Sequence, residues 1–134
     1  YYIMKKIILF AAAATMLAVS CQESLEDRAA REAQEFTRKN CPMKLGNGIT
    51  TDSMVFDKAT LTLHYCMTIS GQADTTAIRN TDIKKDMVEG LKGNTAVRPY
   101  KDAGYNFQYT FFSEKHKGLK LYEVKITKKD YSTK

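Results

Sequence analysis

The chain has 134 residues, 43% hydrophobic and 27% charged, with eight Tyr, six Phe and no Trp. That length supports one domain with one core, and the composition is that of a folding globular chain rather than a disordered one. The formal net charge of +6 falls to +4 without Lys5 and Lys6, a modest balance that bears mostly on solubility.

The first element is a leader. Lys5 and Lys6 form a positive end, residues 7–19 are continuously apolar with the small-residue tract 11–14, and Ser20 precedes Cys21. Thirteen helical residues reach about 20 Å, short of the roughly 30 Å hydrocarbon core, so the run reads as a removed signal peptide rather than a membrane span. Met4 reads as the true start, with residues 1–20 forming the leader and residues 21–134 a single mature domain.

The stretch Leu17-Ala18-Val19-Ser20-Cys21 resembles the lipobox of bacterial lipoproteins, although Ala18 stands where leucine is usual. The resemblance covers about the first 25 residues. It implies lipidation of Cys21, cleavage before it and acylation of the new amino terminus. Several acyl chains would hold a soluble domain stably on a membrane, where one chain is marginal. Gln22 matches the pattern of lipoproteins passed on to the outer membrane, and the acidic residues Glu23, Glu26 and Asp27 are similar to surface-export signals of Bacteroidetes lipoproteins. The mature domain itself resembles no characterised family.

Residues 24–39 read as a helix, with Ser24 as cap, Asp27 at the third position and Leu25, Ala29, Ala33 and Phe36 on one stripe. The tract PMKLGNG marks a turn. Residues 53–57 and 60–69 then form a hairpin, in which Leu61, Leu63, Tyr65, Met67 and Ile69 share one face and Thr60, Thr62, His64, Cys66 and Thr68 the other. In residues 75–92 the apolar positions Ile83, Met87, Val88 and Leu91 repeat at helical spacing before Gly93. Residues 95–100, 105–112 and 119–127 read as three strands, the last two joined by the charged turn 113–118. The expected fold is α+β: an antiparallel sheet of about five strands with two helices on one face, in the order α-β-β-α-β-β-β.

Export permits disulfides, and Cys41 with Cys66 could bridge helix and hairpin, stabilising the domain by about 3.5 kcal/mol on the loop-entropy model. Two separate buried thiols satisfy the same sequence. His64 lies two residues from Cys66 on one strand face, yet a nucleophile needs a base and an orienting group, and zinc needs three or four ligands, so the spacing alone assigns neither. The Asp residues flank turns, and the glycines do not follow the strand-to-helix pattern of a phosphate loop. No metal or cofactor is expected.

The aromatic run YNFQYTFF puts Tyr105, Phe107, Tyr109 and Phe111 on one face, which suits a core; a sugar or a partner protein stacked on part of it is the sharper alternative. Tyr105 and Tyr109, with Lys115, His116 and Lys117 of the basic turn, are the candidate binding residues, and an anionic glycan or an envelope protein the candidate partner, with export arguing against a nucleic acid. The function these features favour is a membrane-anchored, non-catalytic binding module of a Gram-negative envelope. Alternatives are a small extracytoplasmic enzyme using His64 with a nearby carboxylate, and an inhibitor or immunity-type lipoprotein against a secreted enzyme or toxin, to which the layout is similar.

Overall fold

The capping signal at Ser24 works as the sequence implies. In the computed structural model, which describes residues 23–75 and 83–132, α1 (Leu25–Asn40) begins with the Asp27 N–H donating to the Ser24 hydroxyl at 3.1 Å. Glu26 and Asp27 in the first turn and Arg38 and Lys39 in the last oppose the helix dipole at both ends. Ala29 and Ala33 are buried, and their small side chains let the helix lie close over the sheet.

Five strands follow the order β1-β2-β3-β4-β5: β1 (Met43–Gly46), β2 (Ile49–Asp57), β3 (Thr62–Ile69), β4 (Asn106–Ser113) and β5 (Lys120–Ile126). Between β3 and β4 the chain forms a 3-10 turn (Gly71–Ala73), α2 (Ile83–Gly93), a second 3-10 turn (Thr95–Val97) and α3 (Arg98–Asp102); α4 (Lys128–Tyr131) closes the fold. Leu63, Phe107 and Ile126, adjacent in register on β3, β4 and β5, are wholly buried, and Ala29, Ala33, Leu91 and Tyr100 from the helices complete the same core. The α+β class and the five-stranded sheet agree with the sequence.

Four details differ. First, the sheet is mixed: β3 and β4 run parallel, while every other neighbouring pair is antiparallel. The link between them is long and carries α2, and a parallel pair needs such a crossover. Second, residues 95–100 are helical rather than a strand. Asn94 accepts the Ala96 N–H, Pro99 suits a helix start but cannot donate to a ladder, and Val97 and Tyr100 are buried at a spacing of three. Third, the MKLG part of the expected turn is β1, joined to β2 through Gly46, Asn47 and Gly48, all with positive φ. Fourth, α3 and α4 add two short helices. The expected helix start at residues 76–82, the leader, Cys21 and Gln22 lie outside the described residues.

The expected Cys41–Cys66 disulfide is absent, and both thiols are free. Cys41 caps α1 just before β1, whereas Cys66 belongs to β3 and pairs with Ser53 of β2. With β2 between them, β1 and β3 are two strand spacings apart, about 9.6 Å, beyond the roughly 7 Å that a disulfide can span between Cα atoms.

Candidate functional site

One sheet face is roofed unevenly. α1 lies over β2, with the Thr37 hydroxyl bonded to the Met54 backbone, while α2 packs toward β5 and α4. The floor between the two helices carries Tyr65 and Met67 from β3 and Tyr109 and Phe111 from β4, and over it run two adjoining cavities of about 400 Å³ and about 380 Å³. Both cavities are lined by Leu45, Met67, Asn94 and Tyr109, so they form one groove. Leu45, at its lip in β1, is 53% exposed and continues the apolar lining of the groove to the surface.

Its lining combines adaptable and rigid groups. Met43, Met54, Met67 and Met87 line it, and thioether chains repack easily around differing apolar guests. Tyr65 and Tyr109 are opposite each other in register and stacked, with ring centroids 4.8 Å apart and an interplanar angle of 9°. Burial pushes the Tyr65 hydroxyl up to about 12. Burial first, and the neighbouring Tyr65 second, raise that of Tyr109 as well. Both are therefore neutral phenols at physiological pH, able to give one hydrogen bond each to a guest. On the α1 wall, Glu32 accepts hydrogen bonds from the Tyr100 hydroxyl and from Arg28 Nε at 2.8 Å. Burial works to raise the Glu32 pKa, but those bonds outweigh it and hold the carboxyl below its ordinary range.

The groove unites only part of what the sequence singled out. Tyr109 is in its floor. Tyr105 is 4% exposed and stacked between Phe56 at 5.4 Å and Tyr100 at 5.8 Å, so it is a core residue. Lys115, His116 and Lys117 are exposed in the β4–β5 turn. Tyr105 precedes β4 and the turn follows it, so eight strand residues, about 26 Å, separate them and no single site contains both. The Lys115 N–H donates to Asp74 at 2.9 Å and the His116 N–H to Ser113 at 3.0 Å, bonds that fix the turn's backbone. The residues missed in the sequence are Leu45, Tyr65, Met67 and Met87. The one available hint was MKLG, whose two apolar side chains have no core to enter.

The opposite sheet face holds His64 and Cys66. His64 Nε2 is 2.7 Å from Thr110 Oγ1, and the Thr110 hydroxyl donates to Glu123 at 2.7 Å. Since the single hydroxyl proton goes to Glu123, Nε2 is the donor to Thr110 and Nδ1 is the ring nitrogen left for another molecule. The hydrogen bond from Thr110, with further ones from Lys120 and Gln108, holds the Glu123 carboxyl below its usual range. His64 thus has a carboxylate within its network, reached through Thr110. Among the described residues no three His, Cys, Asp or Glu side chains gather in a metal-holding group, and no helix is long and apolar enough to cross a membrane.

Three solved structures share this fold. The pilotin EpsS of the Vibrio vulnificus type 2 secretion system is 15% identical with a TM-score of 0.65, covering 82% of this chain and 94% of its own. The type II secretion system pilotin AspS of Vibrio cholerae is 17% identical with a TM-score of 0.60, covering 79% and 91%. A Pseudomonas aeruginosa protein described as secreted is 12% identical with a TM-score of 0.63, covering 81% and 98%. At such identities the likeness is one of fold. No curated protein matches the sequence. Residues 24–122, which run from the cap of α1 through the groove floor into β5, match the family described as a domain of unknown function, DUF8479, and the chain belongs to that family.

Proposed function

We propose that this protein is a lipid-anchored, non-catalytic interaction module of the Gram-negative envelope, and that its groove between α1 and α2 receives an apolar segment of a partner protein. The observation that carries this reading is the groove whose floor is Tyr65, Met67, Tyr109 and Phe111, with exposed Leu45 at its lip. Long, rigid aromatic floors beside flexible methionines suit a helix or extended peptide better than a small polar substrate. Two pilotins of type II secretion systems have a similar fold, which supports a protein partner in the envelope. The N-terminal lipobox resemblance supports removal of residues 1–20 and an outer-membrane anchor on Cys21. Tethering would raise the effective concentration of the groove for any neighbour on the same membrane.

A photo-crosslinking residue at position 45, compared with one at Val55 on the other sheet face, tests the groove. Val55 is 56% exposed, so both probes are accessible. A defined envelope protein captured from position 45 and not from 55 supports the reading; equal capture from both sites, or none from 45, overturns it. The captured protein's identity also decides whether the module inhibits a secreted enzyme or toxin. For the anchor, Cys21→Ser should abolish palmitate labelling and release the domain from membranes.

One observation favours a second reading, the chain from His64 through Thr110 to Glu123. It would let His64 Nδ1 take a proton from a molecule on the open sheet face. A turnover lost in His64→Ala with melting unchanged would establish that enzyme reading in place of the binding module.

A further inference from the structure

The end of the sheet at which α1 starts is assembled from segments tied to one another. Lys58, in the β2–β3 turn, pairs with Asp27 of α1 at 2.6 Å. The Asn106 N–H donates to the Leu61 carbonyl at 2.9 Å, joining the same turn to the start of β4. The Tyr131 hydroxyl of α4 donates to the Tyr105 carbonyl at 2.9 Å, which brings the third segment in.

Glu23 is clamped to α1 by two hydrogen bonds from Arg31, each 2.9 Å. Only Gln22 stands between Glu23 and Cys21 in the sequence. Two residues of fully extended chain reach about 7 Å, less than the roughly 8 Å Debye length at physiological salt. An acyl-bearing Cys21 therefore leaves the folded body almost no distance from the lipid headgroups.

The chemistry of this end fits such a neighbour. Leu61 is an exposed apolar side chain at the turn, and Lys128 and Lys129 of α4 are exposed. Of the acids at this end, Glu23 faces Arg31, Asp27 faces Lys58 and Asp130 faces Lys84 at 3.6 Å, while exposed Asp57 accepts the Ala59 N–H of the turn at 3.0 Å. The lip of the groove is elsewhere. β3 leaves this end at Thr62 and runs eight residues, about 26 Å, to Ile69, which pairs with Ile49 beside Gly46 of β1.

We infer that the protein rests on the bilayer through this end, with Leu61 in the headgroup layer, Lys128 and Lys129 against anionic phosphates, and the groove held away from the membrane. This orientation depends on the lipid anchor proposed above. It fixes which surfaces a partner can reach: the groove is open to a protein standing in the aqueous space, and the β2–β3 turn is not.

Because the chain has no Trp, a single introduced one reports depth. The full lipidated protein is reconstituted in phosphatidylglycerol-containing vesicles with brominated acyl chains, carrying Leu61→Trp, Ala59→Trp or Leu45→Trp. The probes at 61 and 59 should lose most of their emission and the probe at 45 should keep it. Equal quenching at 45 and 61, or none at both 59 and 61, overturns the orientation. Adding Lys128→Glu and Lys129→Glu should weaken quenching at 61, and unchanged quenching removes the lysines from the proposal. Mass spectrometry of the N-terminal peptide separates the two readings: an unmodified Cys21 defeats the anchor, whereas an acylated Cys21 with unquenched probes at 59 and 61 defeats only the orientation.

Discussion

Thr37 shows how much one hydroxyl can settle. β1 pairs with β2 only through residues 49–51, so further along β2 the outer edge faces α1. There Thr37 accepts the Met54 N–H and donates to the Met54 carbonyl, both at 2.9 Å, with the Ala33 carbonyl also in reach at 3.0 Å. Thr37→Val keeps the shape and leaves both Met54 groups unpaired, a loss of about 1–3 kcal/mol that should appear as a lower urea midpoint with unchanged slope. Asp74 does similar work at the other end of the sheet. Hydrogen bonds from the Ser113 hydroxyl, and then from the Lys115 N–H, hold its carboxyl below the ordinary range. A depressed folded value means stability that is present above the unfolded carboxyl pKa, near 3.9, and lost as pH falls through the lower folded one. Asp74→Asn should therefore unfold at lower urea than the parent at pH 7, and the gap should close when both are titrated in acid. A gap independent of pH would show that the carboxylate charge plays no part.

Among elements, α1 was the most legible in sequence, because its cap, its charged ends and its apolar stripe all report on local structure. Ala29 and Ala33 carry the tertiary information, as small residues where a helix must approach a sheet. Ala33→Leu should overpack that contact and cost about 1–3 kcal/mol, read as a lower melting temperature with helix content retained at 20 °C. The alternation in β3 and β4 was readable next after it, since Leu63, Tyr65 and Met67 and then Phe107, Tyr109 and Phe111 lie on the single roofed face. By contrast, residues 95–100 misled: six residues with scattered apolar positions fit a strand or a helical turn. The decision came from Pro99 and from Tyr100, whose ring stacks on Tyr105 and whose hydroxyl reaches Glu32, contacts invisible in a local window. The candidate site was legible only at Tyr109. Leu45 comes from β1, Tyr65 and Met67 from β3, and Met87 from α2, and no spacing rule joins the three elements.

At the scale of the molecule, strand neighbours decide chemistry as well as shape. Placing β2 between Cys41 and β3 keeps the two cysteines as separate thiols. Unreduced peptide mass spectrometry should therefore find both unbridged, and reductant should leave the melting temperature unchanged. Burial first, and then the nearby Asp52 carboxylate, raise the Cys41 pKa, so alkylation at pH 8 should be slower there than at an open thiol. The sequence by itself determined what local periodicity and capping can encode: the helix read over residues 24–39, the inward faces of β3 and β4, and the α+β class. The tertiary structure alone decided the parallel β3–β4 pairing, the separation of the thiols and the groove. The physical reason is that an apolar stripe says a surface must be covered without saying by what. Here α1 and α2 each cover part of one sheet face, and the strip left between them exists only once both have docked.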